Sequence, residues 1–398
     1  MSKDAKNVPA LRFKGYSDAW EKRKLGEVLF ERNSRSGAKQ LLSVTINQGV
    51  IKAEDSGRKD NSSSDLSNYK LVKVGDIPYN SMRMWQGASG YSYFEGIVSP
   101  AYTVLIPSAE TDGLFLSYDI KRNKMLSVFQ RHSQGLTSDT WNLKYPQLSS
   151  IHVRVPKKNE QKQIRQALIK LDDLIAATQD KIDAFEQIKK ALLQHLFDQS
   201  WRFKEYSELW TPHLLGEITS KVTEKNTENL YHETFTNSAK YGIVEQQSFF
   251  DKSISNEANL ANYYVVREND FVYNPRISNS APVGPVRRNK LNRTGVMSPL
   301  YYVFRATTAV YPIFLEYFFK GESWYRFMYL NGDTGARSDR FAIKDKVFEQ
   351  MPVKLPEKSE QEKIGALLQN LETVMNQTQE RLQKIRDIKD SLLKSLFV

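Results

Sequence analysis

The stretch PKKNEQKQIRQALIKLDDLIAATQDKIDAFEQIKKALLQHLF fills residues 156–197, and the chain contains it twice. Shifted by 200 residues without a gap it becomes PEKSEQEKIGALLQNLETVMNQTQERLQKIRDIKDSLLKSLF at 356–397; 15 of the 42 positions are identical, so this is a duplication and not two helices of similar composition. In the first copy Ile164, Leu168, Leu171, Ile175, Thr178, Ile182 and Phe185 step by 4-3-4-3-4-3, and Ile364, Leu368, Leu371, Met375, Thr378, Leu382 and Ile385 repeat the pattern. Such a heptad seam buries one narrow stripe of a long helix against another helix. From Glu160 to Leu196, at ~1.5 Å per residue, each helix is expected to be roughly 55 Å long. Pro156 and Pro356 close short runs of β character, Ile151–Val155 and Met351–Leu355. Asn159 and Ser359 are the expected caps, with Ser359 and Glu362 forming a capping box. An oligomerisation rod needs only one copy; duplication within one chain predicts that the two helices pair with each other.

The repeat extends outward from the helices. Arg12-Phe-Lys-Gly-Tyr-Ser-Asp-Ala-Trp20 returns as Arg202-Phe-Lys-Glu-Tyr-Ser-Glu-Leu-Trp210. Asn68-Tyr69 to Tyr79-Asn80 returns as Asn262-Tyr263 to Tyr273-Asn274, each with β-rich flanks around a turn, Gly75-Asp76 or Asn269-Asp270. Gly96-Ile-Val-Ser-Pro-Ala-Tyr102 returns as Gly295-Val-Met-Ser-Pro-Leu-Tyr301, and Ser138-Asp139 as Ser338-Asp339. The expected organisation is α+β: a mixed α/β domain over residues 1–155, a helix over 156–200, a second domain over 201–355 and a second helix over 356–398. Residues 1–20 match 201–210, which directly follow the first helix, so the chain ends are expected to lie near each other. The helices then run antiparallel, and the halves form a pseudo-two-fold repeat. Residues 53–67 are polar and rich in turn formers, and a mobile surface loop is expected there.

Composition narrows the function. The net charge is +11, with 30 basic and 22 acidic side chains in residues 1–200 and 27 and 24 in 201–398, so both halves are positive. That balance suits contact with a polyanion. Cysteine is absent, which excludes disulfides and thiolate chemistry and suits the cytoplasm. No charged-then-apolar leader and no run of 18 apolar residues occurs, so a soluble, unexported protein without membrane contact is expected. Catalytic motifs are missing: there is no Asn/Asp-Pro-Pro-aromatic loop, no Gly-rich loop for S-adenosylmethionine and no phosphate loop. Glu160-Gln161-Lys162 resembles a nuclease E-x-K pattern, but its copy reads Glu360-Gln361-Glu362, so both are read as charge near a helix N-terminus. The five histidines are scattered without paired ligand spacing, so no metal site is expected. No catalytic residues are assigned.

Nucleic-acid contact is what the residues support. Tyr79-Asn-Ser-Met-Arg83-Met-Trp85-Gln86-Gly87 leaves a strand and enters a Gly/Ser-rich turn, and arginine and glutamine make bidentate contacts to base edges. At the same place the second half has Asn274-Pro-Arg276-Ile277-Ser278-Asn279. A second candidate surface is the loop Gln134–Ser138, with Thr334–Arg340 as its counterpart, which supplies Ser138, Arg337 and Arg340. Arg287, Arg288 and Lys290 form a basic cluster, read equally as a phosphate contact or as a solvated hairpin tip. Tyr79, Asn80, Tyr273 and Asn274 recur in both halves and are read as scaffold.

Two unlike α/β domains, each followed by a near-identical long helix beginning Pro-x-x-x-Glu-Gln, resemble the specificity subunit of type I restriction–modification enzymes. The resemblance covers essentially the whole chain and rests most on Pro156…Glu160-Gln161…Ile164, on Leu192-Leu193…Leu196-Phe197 and on their copies. The strings at Tyr79–Gly87 and Gly96–Tyr102 are similar to that family's target-recognition domains; the second half departs from the first string at Asn274–Ile277. The resemblance implies a non-catalytic protein in which each target-recognition domain reads one half of a bipartite site in double-stranded DNA. The paired helices would set the gap and dock two adenine-methyltransferase subunits, and restriction/translocase subunits would join to cut unmethylated DNA. S-adenosylmethionine, ATP and Mg would belong to those partners. A coiled-coil scaffold that binds only proteins is the alternative, and an enzyme with unfamiliar motifs is a third reading.

Overall fold

The structure is a computed structural model, and it describes residues 7–57, 65–249, 257–334 and 339–398. Two compact units emerge, residues 1–179 with 380–398 and residues 180–379, so each unit takes part of both long helices. The helices span Lys158–Phe197 and Lys358–Ser395. They therefore start one residue ahead of the expected caps, and the Ser359 hydroxyl donates to the Glu357 carboxylate instead of forming the expected capping box.

In the first unit Glu21–Lys24 pairs antiparallel with His152–Val155, the strand that feeds the first long helix. A three-stranded antiparallel sheet orders Leu29–Glu31, Tyr102–Pro107 and Ile77–Asn80. Its turn is sharp because Gly75 holds a positive φ of +96° while Asp76, 2% exposed, receives both Arg32 Nε and Nη2 at 2.7 and 2.8 Å. The core gathers Trp20, Leu25, Phe115, Phe129, Leu148 and Val153 around Ile164 and Leu168 of the first long helix. Leu396 and Phe397 complete the same core, with Phe397 stacked on Phe115 at 5.1 Å. The Leu11 amide donates to the Ser395 carbonyl at 2.9 Å, which brings the two chain ends together as expected.

The second unit repeats this plan. Thr211–Leu214 pairs with Pro352–Leu355, and Asn269, at φ +68°, takes the place of Gly75 beside buried Asp270, which Arg305 grips at 2.6 and 2.9 Å. Its sheet has four strands, Thr219–Lys221, Tyr302–Ala306, Phe271–Tyr273 and Val286–Arg288. Here Leu196, Ile364 and Leu368 join Trp210, Phe314 and Phe348 in the core.

The helix segments run antiparallel within each unit. In the first, Lys389 bonds Asp172 and Arg386 Nη2 reaches Gln179 Oε1 at 3.3 Å. In the second, Lys189 meets Glu372 at 2.6 Å while Leu196 lies in one core with Ile364. Lys189 and Lys389, and Asp172 and Glu372, are repeat equivalents, so one ion pair is used twice. Glu372 also takes Tyr317 and Lys320; burial opposes its ionisation, but Lys320 and Lys189 prevail and hold it down to about 2. Along the seam Ile164, Leu168, Thr178, Ile182, Ile364, Leu368, Met375, Leu382 and Ile385 are buried, while Leu171, Ile175, Phe185, Leu371 and Thr378 are half-buried. Thr178 and Thr378 satisfy their hydroxyls by donating to the carbonyls of Leu174 and Val374, so the polar seam position costs no orphaned group.

Candidate nucleic-acid interface

In the first unit the strand Ile77–Asn80 carries Tyr79, fully buried, whose hydroxyl donates to the Leu143 carbonyl at 3.0 Å. Asn80 then accepts the Met82 amide on its Oδ1 at 3.0 Å, and the chain winds through one 3-10 turn at Met84–Gln86. Gly87 ends that turn at φ +87°. Met84 is the buried anchor, which leaves Arg83 and Gln86 half-buried; among the described residues neither side chain has a hydrogen-bond or ion-pair partner. Trp85 donates to the Met82 carbonyl at 3.2 Å and meets Trp141 edge-on at 5.2 Å. That contact brings the two candidate surfaces together, since Trp141 stands at the foot of the Gln134–Asn142 loop that carries exposed Ser138. Trp85 is thus a brace between loops.

The second unit builds a related surface differently. Asn274 accepts the Arg276 amide and donates to the Asn237 carbonyl, the same bracing role as Asn80. Arg276 pairs in backbone register with Arg340, and the Ile277 amide donates to the Asp339 carbonyl at 3.0 Å. Arg276, Asn279 and Arg340 are exposed, and among the described residues their side chains have no partner. Arg340 borders adjoining cavities of about 800 and 580 Å³ that share Pro275, Leu300 and Tyr301. Arg337 lies outside the described residues, as do residues 58–64 of the stretch expected to be a mobile loop.

The basic cluster is corrected. Val286–Arg288 is the edge strand of the four-stranded sheet and not a hairpin tip. Arg288 is 9% exposed and bonds Glu316 through Nε and Nη2, both at 2.7 Å. Arg287 donates to the carbonyls of Val286 and Ala239, and burial pushes its guanidinium below the usual value. Burial would raise the Glu316 carboxyl, but Lys320 and Arg288 outweigh it and lower it. Lys290 stays half in solvent at 54% exposure, 3.5 Å from Glu316. The two arginines are fixtures of the fold. Arg288→Ala should cost about 2–4 kcal/mol, less than a lone buried pair because Lys320 still faces Glu316 at 2.8 Å. Chemical denaturation reads this; an unchanged midpoint would return Arg288 to the surface.

Glu160-Gln161 and its copy lie in the first turns of the two long helices, as expected, and they also reach into the domains. Glu160, 1% exposed, receives Arg12 Nε and Nη2 at 2.7 and 2.8 Å, and Trp20 Nε1 at 3.4 Å. Gln161 accepts the Asp112 amide at 2.8 Å and donates to the Pro156 carbonyl at 2.8 Å. Glu360 holds Arg202 at 3.0 and 2.6 Å, and Gln361 accepts the Tyr311 amide at 2.8 Å. These residues lock helix to domain. The joint recurrence of Arg12…Trp20 with Glu160 was the signal for it. Among the described residues, no group of three or more His, Asp or Glu could hold a metal ion, and no helix is long and apolar enough to cross a membrane.

The comparisons agree with this architecture. A family model described as type I restriction modification DNA specificity domain matches residues 17–187. A putative type I restriction enzyme MjaX specificity subunit of Methanocaldococcus jannaschii is 23% identical over 196 residues, 45% of either chain, so the match spans about half the length of that relative. Among solved structures, the S subunit of a type I restriction-modification system from M. genitalium matches with a TM-score of 0.57 at 15% identity, over 98% of this chain and 99% of that one. A chain from a structure on complex assembly and conformational transition of the type I R-M system matches at 0.50 and 15%, over 95% and 97%. At such identity these two show the fold alone. The chain is thus similar to type I restriction–modification specificity subunits, in sequence over residues 17–187 and in fold along nearly its whole length.

Proposed function

We propose that the chain is the DNA-reading, non-catalytic subunit of a type I restriction–modification complex, each globular domain reading one half of a bipartite site. One observation carries this: the same scaffold occurs twice, with Tyr79-Asn80 and Tyr273-Asn274 bracing equivalent loops, while the free polar side chains on those loops differ, Arg83 and Gln86 against Arg276 and Asn279. A shared scaffold with unlike tips is what reading two different half-sites requires. The helices would set the gap and dock two adenine-methyltransferase subunits. Apolar positions left exposed on them recur in step, Leu174 with Val374 and Ile188 with Ile388, which suits two copies of one partner. S-adenosylmethionine, ATP and Mg would be held by the methyltransferase and restriction subunits.

The test is single-molecule mapping of methylated adenines in cells that carry the chain with its methyltransferase. A two-part motif that disappears with the chain supports the proposal; weak DNA binding insensitive to salt would favour a protein-only scaffold. Arg83→Ala should then relax one half-site only, costing about 1–3 kcal/mol against the cognate base, with Gln86→Ala acting on the same half. Equal loss on cognate and random DNA would make Arg83 a phosphate contact.

A further inference from the structure

We infer that Leu136 is an apolar wedge that enters between neighbouring base pairs of the half-site read by the first domain; this rests on the DNA-reading function proposed above. Leu136 is 101% exposed, more than any other large apolar side chain among the described residues. It sits in a braced loop. The Gln134 amide donates to the Asn142 carbonyl at 3.0 Å, and the Asn142 amide returns the bond at 2.8 Å. Gly135 holds φ +148°, and a Cβ there would lie 2.6 Å from the Thr140 carbonyl oxygen, so the backbone passes only as glycine. The Thr140 hydroxyl accepts the Thr137 amide at 3.1 Å, and Trp141 leans on Trp85 at the loop's foot.

A braced loop that holds a leucine wholly in water maintains an unfavourable contact, which a dry slot in a partner would relieve. The surroundings say which slot. Across the Trp85–Trp141 contact stand Arg83 and Gln86, and the helix Asn123–His132 beside that turn exposes Lys124 and Arg131. Asp139 is the one acid in the loop. An apolar slot rimmed by anions is what a base step between phosphates offers, and leucine is among the side chains that wedge such steps apart. In the second domain Ala336 aligns with Leu136, so the wedge belongs to one half-site.

The test uses the full chain and a duplex carrying the bipartite site recovered by in-vitro selection on that chain. Fluorescent base analogues, 2-aminopurine for adenine and pyrrolocytosine for cytosine, report unstacking step by step. One step in one half-site should brighten on binding. Leu136→Ser should abolish the brightening and weaken binding about ten- to a hundredfold, with unchanged melting. Leu136→Phe should keep both. A selected site in which no step brightens overturns the wedge, as does Leu136→Ser binding within twofold of wild type or retaining the brightening. A selection that yields no bipartite site overturns the DNA-reading function and the wedge with it.

Discussion

Arg12→Ala should cost the first unit about 3–5 kcal/mol, because it strands the Glu160 carboxylate at 1% exposure with only a 3.4 Å indole N–H left. The single arginine both neutralises Glu160 and fastens the start of the first long helix to the N-terminal segment. For a unit of this size the loss corresponds to a fall of roughly 6–20 °C in its melting transition. Arg202→Ala should do the same to the second unit through Glu360, also 1% exposed. Each variant thus carries an unperturbed unit as its own reference in calorimetry. Removing both charges together, Arg12→Met with Glu160→Leu, should recover most of the loss, since the desolvation of both ions disappears. A single-variant cost below about 1 kcal/mol would show the pair to be no better than a surface bridge.

Matched insertions in the two helices should change the DNA site in a way that depends on their length. The unit boundaries fall at Gln179–Asp180 and Gln379–Glu380, equivalent points of the repeat. Extending one helix alone would lengthen one of two connections between the units and leave the other short, so both must be extended. Four residues in each add ~6 Å, close to two base pairs, and a rotation near one full turn. Two residues rotate the junction by roughly 200°. The four-residue pair should widen the unread gap and keep both half-sites; the two-residue pair should abolish methylation. The motif recovered by methylation mapping decides, and an unchanged gap with four residues would show that the helices do not set the spacing.

How far the sequence went can be read from particular residues. The helices, their duplication and the strands beside them were legible because period and repeat are local signals. Glu160 was read as helix-end charge because a carboxylate in a first turn has that ready explanation, while its partner Arg12 lies 148 residues away. Arg288 looked like surface charge for the same reason: Glu316 neutralises it from another element, 28 positions on. Arg83 and Gln86 could be placed on a turn from sequence, but their freedom from partners is visible only in three dimensions. Leu136 carried no sequence signal at all, since a leucine in a loop becomes unusual only once its exposure is known.

The first core is closed by Leu396 and Phe397, and this gives synthesis an order. A ribosome delivers residues 180–379, one unbroken segment, before the last strip that the first unit needs. The second unit can therefore mature first, reversing the usual N-to-C sequence of domain folding. Until residues 380–398 emerge, the first unit waits with Phe115 lacking its stacking partner Phe397 and Trp20 lacking its edge contact with the same ring. Until that strip arrives the nascent chain carries an open apolar face, and truncation ahead of residue 380 leaves one finished half and one sticky one.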